Sequence, residues 1–272
     1  MLILKKCTKS FKKTKALNDF SCEFKHGIYG LLGPNGSGKT TMMRCICGLL
    51  SPEKGSIECD CENIGYLPQQ FGAMKSLTVY ETMRYFATLK KIPKSNQDNE
   101  IRYCIDLVNL SDKIKNKVGS LSGGMVRRLG IAQAIIGNPE IVLFDEPTAG
   151  LDPEERVRFK SLLRKIKNDK TIIISTHIVS DVKSICDEIV IINEGRNVVQ
   201  GTCSDITSIG NEKVFLLDEE YENNLEGNYY VKDRISKDNK NYIIVLSSNF
   251  IEQGVSINAD IEDGYLCALK DI

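Results

Sequence analysis

Short apolar runs of strand length alternate with amphipathic segments of helix length over the first two hundred residues. The apolar runs are continuously β-branched or leucine-rich, and they lie at residues 28–32, 141–144, 171–175 and 189–192. Helical periodicity is found at residues 40–49, 79–89, 101–110, 124–136 and 154–167. Continuous hydrophobicity is typical of parallel strands that are covered on both faces. Strands interleaved with helices of this length predict an α/β fold built on a mostly parallel sheet.

The same pattern divides the chain into parts. Residues 79–136 are almost purely helical, which predicts a helical subdomain at about residues 71–137 inserted into the sheet. Later strand-like runs are short and lie at residues 214–217, 229–231 and 242–246. Residues 211–272 carry 13 acidic and 6 basic residues, whereas residues 1–210 carry 23 acidic and 30 basic residues. With Gly201 and Gly210 as a linker, we expect a domain boundary there, followed by a small α/β accessory segment at 211–272.

Composition excludes wholesale disorder, because 42% of the residues are hydrophobic, 26% are charged and the formal net charge is zero. No apolar stretch approaches the roughly 18 residues of a membrane helix, and the N-terminus lacks the apolar core of a signal peptide. We therefore expect any membrane role to be carried by another chain. The ten cysteines lack zinc-site spacing, so reduced thiols are expected, the close pairs Cys45–Cys47 and Cys59–Cys61 included. The chain has no basic domain with interleaved aromatic residues, so no nucleic-acid partner is expected.

The strongest chemical motif is a glycine-rich segment between the first apolar run and the first helix. It has the spacing G-x-x-x-x-G-K-[ST] and consists of Gly33, Pro34, Asn35, Gly36, Ser37, Gly38, Lys39 and Thr40, with Thr41 as a further contact. Its inner glycines can take φ > 0, so successive N–H groups can surround an anion at a helix N-terminus. Lys39 is predicted to reach the β- and γ-phosphates, and Thr40 to place its hydroxyl on Mg²⁺. The alternative is a chance glycine-rich turn.

Two carboxylates and a histidine end neighbouring predicted strands. Asp145 follows four apolar residues, and ligands of open α/β sheets bind at that end of a strand. Asp145 is the expected carboxylate for Mg²⁺, and Glu146 is the candidate to polarise an attacking water. The acid pair can also be a helix cap, although Pro147 rather than a helical run follows it. His177 ends a further buried strand, where a γ-phosphate contact and a structural role both stay open.

A third motif decides the class of protein. It consists of Leu121, Ser122, Gly123, Gly124 and Met125. The phosphate loop, this LSGG segment and the Asp-Glu-Pro-Thr sequence at 145–148 resemble, in order and spacing, the nucleotide-binding subunit of an ATP-binding cassette (ABC) transporter. The resemblance covers about residues 2–205. The stretches GIYGLLGPNG, IGYLPQQFG, LSGGMVRRLGIAQA and DEPTAGLDPEERVRF look most like single-cassette ATPases of peptide, lantibiotic or drug exporters.

The resemblance implies an ABC-type P-loop ATPase with an antiparallel β edge, ATP and Mg²⁺ as cofactors, and ATP hydrolysis as its activity. Phe11 falls where the family stacks an aromatic ring on adenine, although a core ring at a strand end is the alternative. Gln69, with Gln70 beside it, falls where the family contacts Mg²⁺ and water and links the sheet to the helical subdomain. Met125 stands where the family usually has Gln, which puts in doubt only the contacts of that side chain.

In the family two chains pack head to tail, and each nucleotide lies between one chain's phosphate loop and the other's LSGG segment. The resemblance therefore implies that Ser122, Gly123 and Gly124 act on the nucleotide of a partner chain. We expect a homodimer, or a heterodimer with a related ATPase, on the cytoplasmic face of the membrane beneath a transmembrane permease. Export is the expected direction.

Two other classes of protein agree less well with the sequence than a transporter subunit does. In an ABC ATPase that acts on DNA, a long coiled coil separates the phosphate loop from the LSGG motif, whereas here 81 residues separate Lys39 from Leu121. Ribosome-acting relatives carry two cassettes, and this chain has one. A sensor or immunity module that binds ATP without turnover is disfavoured by Glu146 and His177. For residues 211–272, packing or dimer support and a regulatory ligand site stay open.

Overall fold

The computed structural model describes residues 1–61, 63–237 and 240–272. Its strands are β1 (Leu2–Phe11), β2 (Thr14–Phe24), β3 (Gly27–Leu32), β4 (Lys54–Cys59), β5 (Ile64–Leu67), β6 (Ile141–Asp145), β7 (Thr171–Thr176), β8 (Glu188–Asn193), β9 (Arg196–Gly201), β10 (Val214–Asp218), β11 (Tyr229–Lys237), β12 (Lys240–Ser247) and β13 (Val255–Ser256). Its helices are α1 (Lys39–Ile46), α2 (Val79–Leu89), α3 (Lys94–Leu107), α4 (Gly123–Ile135), α5 (Pro153–Ile166), α6 (Val179–Lys183), α7 (Cys203–Ile209) and α8 (Ile261–Lys270). Within this part of the chain, no helix combines the length and the apolar character needed to cross a membrane.

A six-stranded sheet in the order β5-β6-β7-β3-β8-β9 forms the centre of the molecule, and only its β8–β9 pair is antiparallel. Leu32 pairs with Thr176, and Asp145 pairs with Ser175. The segments that follow β3, β6 and β7 therefore leave the sheet at one edge. The predicted α/β fold with a mostly parallel sheet is confirmed. It brings the phosphate loop, the pair Asp145 and Glu146, and His177 to the same edge of the sheet.

Both faces of this sheet are buried, which explains why its strands are apolar at consecutive positions. Successive side chains of a strand point to opposite faces. On one face Leu143 and Ile173 pack into a core with α1 and the antiparallel three-stranded sheet β2-β1-β4. On the other face Val142, Phe144 and Ile172 pack into a core with α2, α3, α4 and α5. Helices α2, α3 and α4 form a helical block, and this second core joins it to the central sheet.

The helical block agrees with the predicted pattern in α2 and α4 and differs in α3. Helix α2 begins at a capping box, in which the Thr78 side chain accepts from the Glu81 N–H and the Glu81 carboxylate accepts from the Thr78 N–H. Helix α3 begins at Lys94, seven residues before the predicted start. Its first two turns are polar, and Gln97 is their only buried residue, so they carry no apolar periodicity from which the helix could be detected.

The C-terminal region contains an antiparallel sheet in the order β11-β12-β10-β13. The predicted short strands are present, and β11 and β12 extend beyond them. Helices α7 and α8 pack on α6 and β8 through a core that includes Val182, Ile206 and Tyr265. The two helices touch closely, because a Cβ atom on Gly264 would lie 1.8 Å from the backbone oxygen of Ile206. The division into domains at residues 205 and 211 stays a prediction.

The expectation of reduced thiols is wrong for one pair of cysteines. Cys59 and Cys61 form a disulfide at the end of β4, with their Cα atoms 5.4 Å apart. The chain bends at Asp60, directly after the strand, and this brings the two Cα atoms to a separation within the usual range for a disulfide. The other eight cysteines, all in the described ranges, are free.

Candidate nucleotide site

The loop between β3 and α1 has backbone conformations that favour glycine. Gly36 has φ 82° and Gly38 has φ 112°. A Cβ atom on Gly38 would lie 2.2 Å from the backbone oxygen of Ala16 in β2. One on Gly33 would lie 2.2 Å from the backbone oxygen of Ile192 in β8. The loop is thus held tightly between the two sheets, and glycine is required both for its turn and for its close approach.

Lys39, the first residue of α1, folds back over this loop. Its ammonium group donates to the backbone oxygens of Gly33 at 2.7 Å and Pro34 at 2.9 Å. The side chain is buried, and burial lowers the pKa of Lys39 although two nearby carboxylates oppose that shift. The hydroxyl of Ser37 is also buried and has no hydrogen-bond partner among the described residues. A buried cation and an unpartnered hydroxyl in one loop fit an anionic ligand such as a phosphate group.

Asp145 is completely buried at the end of β6, and hydroxyl groups contact both of its carboxylate oxygens. Thr40 donates to Oδ2 at 2.8 Å, and Ser175 donates to Oδ1 at 2.6 Å. Hydroxyl, carboxylate and amide oxygens are ligands that suit Mg²⁺, so the predicted donors Thr40, Asp145 and Gln69 fit that ion chemically. They share a cleft of about 440 Å³ that is lined by Ala16, Asn35, Gly36, Gly38, Lys39, Thr40, Thr41, Gln69, Asp145 and Glu146.

Glu146 lies next to this cleft in a fixed position. Its φ is 50°, a conformation that is uncommon outside glycine, and its N–H donates to the Ser175 hydroxyl at 2.9 Å. Nδ1 of His177 lies 3.1 Å from each carboxylate oxygen of Glu146. The helix-cap alternative for the acid pair is wrong, because α5 is capped by the side chain of Asp152. His177 is half exposed and contacts Glu146, so it is not a core residue.

The LSGG segment forms the N-terminus of α4. Ser122 is the N-cap residue, and its hydroxyl accepts from the Met125 N–H at 3.3 Å. Gly123 and Gly124 line a second cleft of about 330 Å³, which Lys39 does not line. A Cβ atom on either glycine would meet nothing within 4 Å, so the glycines leave open space at the surface. The N-termini of α1 and α4 therefore face different clefts, which share Gln69 and Glu146 in their linings.

Arg127, which the sequence analysis did not single out, lies one turn into α4 and connects these parts of the site. Its side chain donates at 2.5–3.2 Å to five backbone oxygens, those of Pro68, Gln69, Asp145, Glu146 and Pro147. Burial lowers the pKa of Arg127, and the nearby carboxylates oppose that shift. The loop of Gln69 and the segment of Glu146 are therefore held by one side chain.

Comparison with known proteins identifies the family. The family model described as ABC transporter matches residues 17–149. The ABC transporter ATP-binding protein YxlF of Bacillus subtilis is 31% identical over 269 residues, which cover 96% of this chain and 90% of YxlF. The chain belongs to the ABC transporter family. It is an ATP-binding subunit of that family and an ATP hydrolase, as the resemblance implied.

Other ABC proteins are similar over the ATPase part of the chain. The Nod factor export ATP-binding protein I of Burkholderia lata is 34% identical over 209 residues, covering 71% of this chain and 68% of the relative. The dimeric structure of the bacterial ABC transporter cassette MJ0796 has a TM-score of 0.69 and 26% identity, and it covers 74% of this chain and 98% of MJ0796. A second dimeric structure of that cassette is in a post-hydrolysis state with ADP and Pi. The ABC ATPase fold is thus confirmed.

Two details of the ABC site go beyond the motifs. Phe11 lies at the end of β1 with 46% of its surface exposed, so the alternative of a core ring is wrong. It does not line the Lys39 cleft, and its contact with adenine stays a prediction. Ser175 was predicted only as a strand residue, yet its hydroxyl contacts both Asp145 and the Glu146 backbone. The signal that could have found Ser175 is its place at the end of a strand beside β6.

Proposed function

We propose that this ABC subunit hydrolyses ATP with Glu146 as the general base. The observation that carries the proposal is the fixed position of Glu146, which is buried beside the Lys39 cleft with its N–H on Ser175 and its carboxylate on His177. A carboxylate held there can accept a proton from a water that attacks the γ-phosphate. His177, whose Nδ1 contacts the Glu146 carboxylate, contacts the same phosphate in this proposal. General-base catalysis of this kind contributes about 10²- to 10⁴-fold in rate.

The phosphate loop binds the rest of the nucleotide in this proposal. Its backbone N–H groups and Lys39 bind the phosphates, and the exposed ring of Phe11 stacks on adenine. Thr40, Gln69 and Asp145 hold Mg²⁺, which neutralises charge on the phosphate oxygens when it is bound. Gln69 also orients the attacking water, because it lines the same cleft as Glu146.

The complete site lies between two chains in this proposal. Ser122, Gly123 and Gly124 of one chain contact the nucleotide that is bound to Lys39 of the other. Two observations support the arrangement: within one chain the two helix N-termini face different clefts, and MJ0796 was solved as a dimer. The two chains are copies of this subunit or this subunit with a related ATPase.

The partner in the membrane is a transmembrane permease, and the cargo is exported. The name of the Nod factor export relative supports the direction, and the close resemblance to exporter ATPases supports peptides, antibiotics or drugs as cargo. The subunit then lies in the cytoplasm, on the inner face of the membrane. ATP binding closes the dimer, hydrolysis reopens it, and the loop of Gln69 together with the helical block transmits the motion.

Residues 2–205 form the ATPase domain in this proposal, and residues 211–272 form an accessory segment. The segment contains no nucleotide-binding motif, and its helix α8 packs on α6, which follows His177 in the chain. Its proposed role is therefore support of the ATPase domain or of the dimer rather than nucleotide binding.

The two-chain site is tested by size-exclusion chromatography with light scattering. Glu146→Gln should bind ATP without hydrolysing it and should shift from monomer to dimer with ATP, and less with ADP. Adding Ser122→Arg should abolish the shift, whereas adding Ser120→Arg should not, because Ser120 is exposed two residues before the cap and lines neither cleft. A Glu146→Gln protein that stays monomeric with saturating ATP would contradict the two-chain site.

The membrane partner is tested by affinity purification of the tagged chain from detergent-solubilised membranes of its own organism. A protein with several membrane-spanning helices should copurify with wild type, and transport of a candidate peptide or drug should require Glu146. Recovery of DNA-binding or ribosomal proteins without a membrane protein would contradict the role in transport.

A further inference from the structure

The guanidinium group of Arg127 has an unusual set of partners. A guanidinium group carries five N–H donors. Here Nε donates to one carbonyl, Nη1 to two and Nη2 to two, so that every donor is used. Within the described residues, none of its hydrogen bonds goes to a carboxylate. Such an arrangement differs from a surface ion pair, because five backbone dipoles converge on one half-buried cation.

The five carbonyl groups come from two loops that the proposed mechanism uses. Pro68 and Gln69 supply two of them, and the segment of residues 145–147 supplies three. The two loops lie 58 and 19 residues from Arg127 in sequence, measured to Gln69 and Glu146. Arg127 itself lies in the helix that begins with the LSGG segment. One side chain thus joins three segments of the site.

The backbone of Glu146 needs such support. Its positive φ is a strained conformation for a residue with a side chain, and such strain persists only where the surroundings enforce it. The Ser175 hydroxyl holds the N–H of Glu146, and Arg127 holds its carbonyl. Without Arg127 the peptide that follows Glu146 would lose its charged donor, and the carboxylate could leave its place beside the cleft.

We infer that Arg127 is a positioning residue that sets the Glu146 carboxylate and the Gln69 loop for hydrolysis and ties both to the LSGG helix. The inference rests on the proposed role of Glu146 and deepens it. Arg127 does not line the Lys39 cleft, and carbonyl oxygens occupy all five of its donors, so it acts on the segment of the base rather than on the phosphates bound there. Its loss should therefore lower kcat far more than it weakens nucleotide binding.

The test is chemical rescue of Arg127→Ala. The variant leaves a space lined by five carbonyl oxygens, which are complementary in position and charge to the N–H donors of a free guanidinium ion. We expect kcat to fall about 10²-fold, as small displacements of catalytic groups do, while the KM for ATP changes little. Guanidinium chloride at millimolar concentration should restore part of kcat, whereas sodium chloride at equal ionic strength and neutral urea should not. Arg127→Lys keeps the charge but has three donors, so it should retain intermediate activity.

The matched control is Arg128→Ala, the next residue of the same helix. Arg128 donates to Val108 and Asn109 in the helical block and pairs with Glu155, away from both loops. It should keep its kcat and gain nothing from guanidinium. Wild-type kcat in a folded Arg127→Ala protein would overturn the inference. So would a loss of kcat that guanidinium does not restore or that Arg128→Ala reproduces.

Measuring Glu146→Gln in parallel separates the two claims. If Glu146→Gln loses turnover and Arg127→Ala keeps it, the base stands and the positioning role of Arg127 is overturned. If Glu146→Gln keeps wild-type turnover, the base itself is wrong, whatever Arg127→Ala does. If both variants lose turnover and only Arg127→Ala responds to guanidinium, both claims are supported.

Discussion

Replacing Lys39 by alanine should weaken the binding of ATP strongly while changing the stability of the fold little. In the described structure the ammonium group bonds only to backbone oxygens of its own loop, at 2.7 and 2.9 Å. Burial already lowers the pKa of Lys39, so keeping this charge inside the protein carries a desolvation cost. Removing the side chain eliminates that cost together with the two hydrogen bonds. We therefore expect the free energy of unfolding without nucleotide to change by no more than about 1 kcal/mol.

The effect on ATP should be much larger. A hydrogen bond to a charged group is worth about 1.5–3 kcal/mol, and each 1.4 kcal/mol is about tenfold in affinity. Because a bound phosphate would take the ammonium group from the two loop carbonyls, the Kd for Mg-ATP should rise about 10- to 150-fold in Lys39→Ala.

Isothermal titration calorimetry at fixed ionic strength measures this change, with thermal unfolding of the same samples as a check on folding. Lys115→Ala is the matched control, since it removes one exposed lysine that lines neither cleft. Its Kd should equal that of wild type. A folded Lys39→Ala protein with an unchanged Kd would refute the assignment of the phosphate loop.

Three further predictions concern the rest of the chain. A protein that ends at Gly210 should still bind ATP, and a folded truncation without ATP binding by calorimetry would contradict the proposed boundary. Gly264→Ala should lower the unfolding temperature, because its Cβ would collide with the Ile206 backbone, and an unchanged temperature would argue against that packing. Burial lowers the pKa of Lys90 to about 8. The unfolded chain therefore holds a proton that the folded chain loses above pH 8, and the free energy of unfolding of wild type relative to Lys90→Met should rise from about pH 8 to 10.5.

The central sheet and the phosphate loop could be predicted from sequence because both have local signatures. Two-sided burial makes β6 and β7 apolar at consecutive positions, and the close contacts of Gly33 and Gly38 leave room only for glycine. Asp145 and Glu146 could be placed beside that loop because parallel strands end at one edge of a sheet. These features depend on residue types at short spacing, which a sequence displays directly.

Other parts of the site have no local signature. The partners of Arg127 are backbone oxygens, which every residue carries. The contact therefore cannot be predicted from residue types in the sequence. Ser175 acts through a strand pairing that places it opposite Asp145, and that register is a tertiary property. The early turns of α3 are polar on nearly all sides, and the Cys59–Cys61 pairing depends on the geometry of a strand end. Sequence reasoning missed these features because packing, rather than local pattern, determines them.

The most direct test of the account is phosphate release by Glu146→Gln under saturating Mg-ATP, with Kd measured on the same protein. The amide keeps the shape of the side chain, and Lys39, Thr40 and Asp145 are unchanged, so binding should be preserved. If Glu146 is the general base, turnover should fall about 10²- to 10⁴-fold relative to wild type. A Glu146→Gln protein that releases phosphate at the wild-type rate would contradict the central claim.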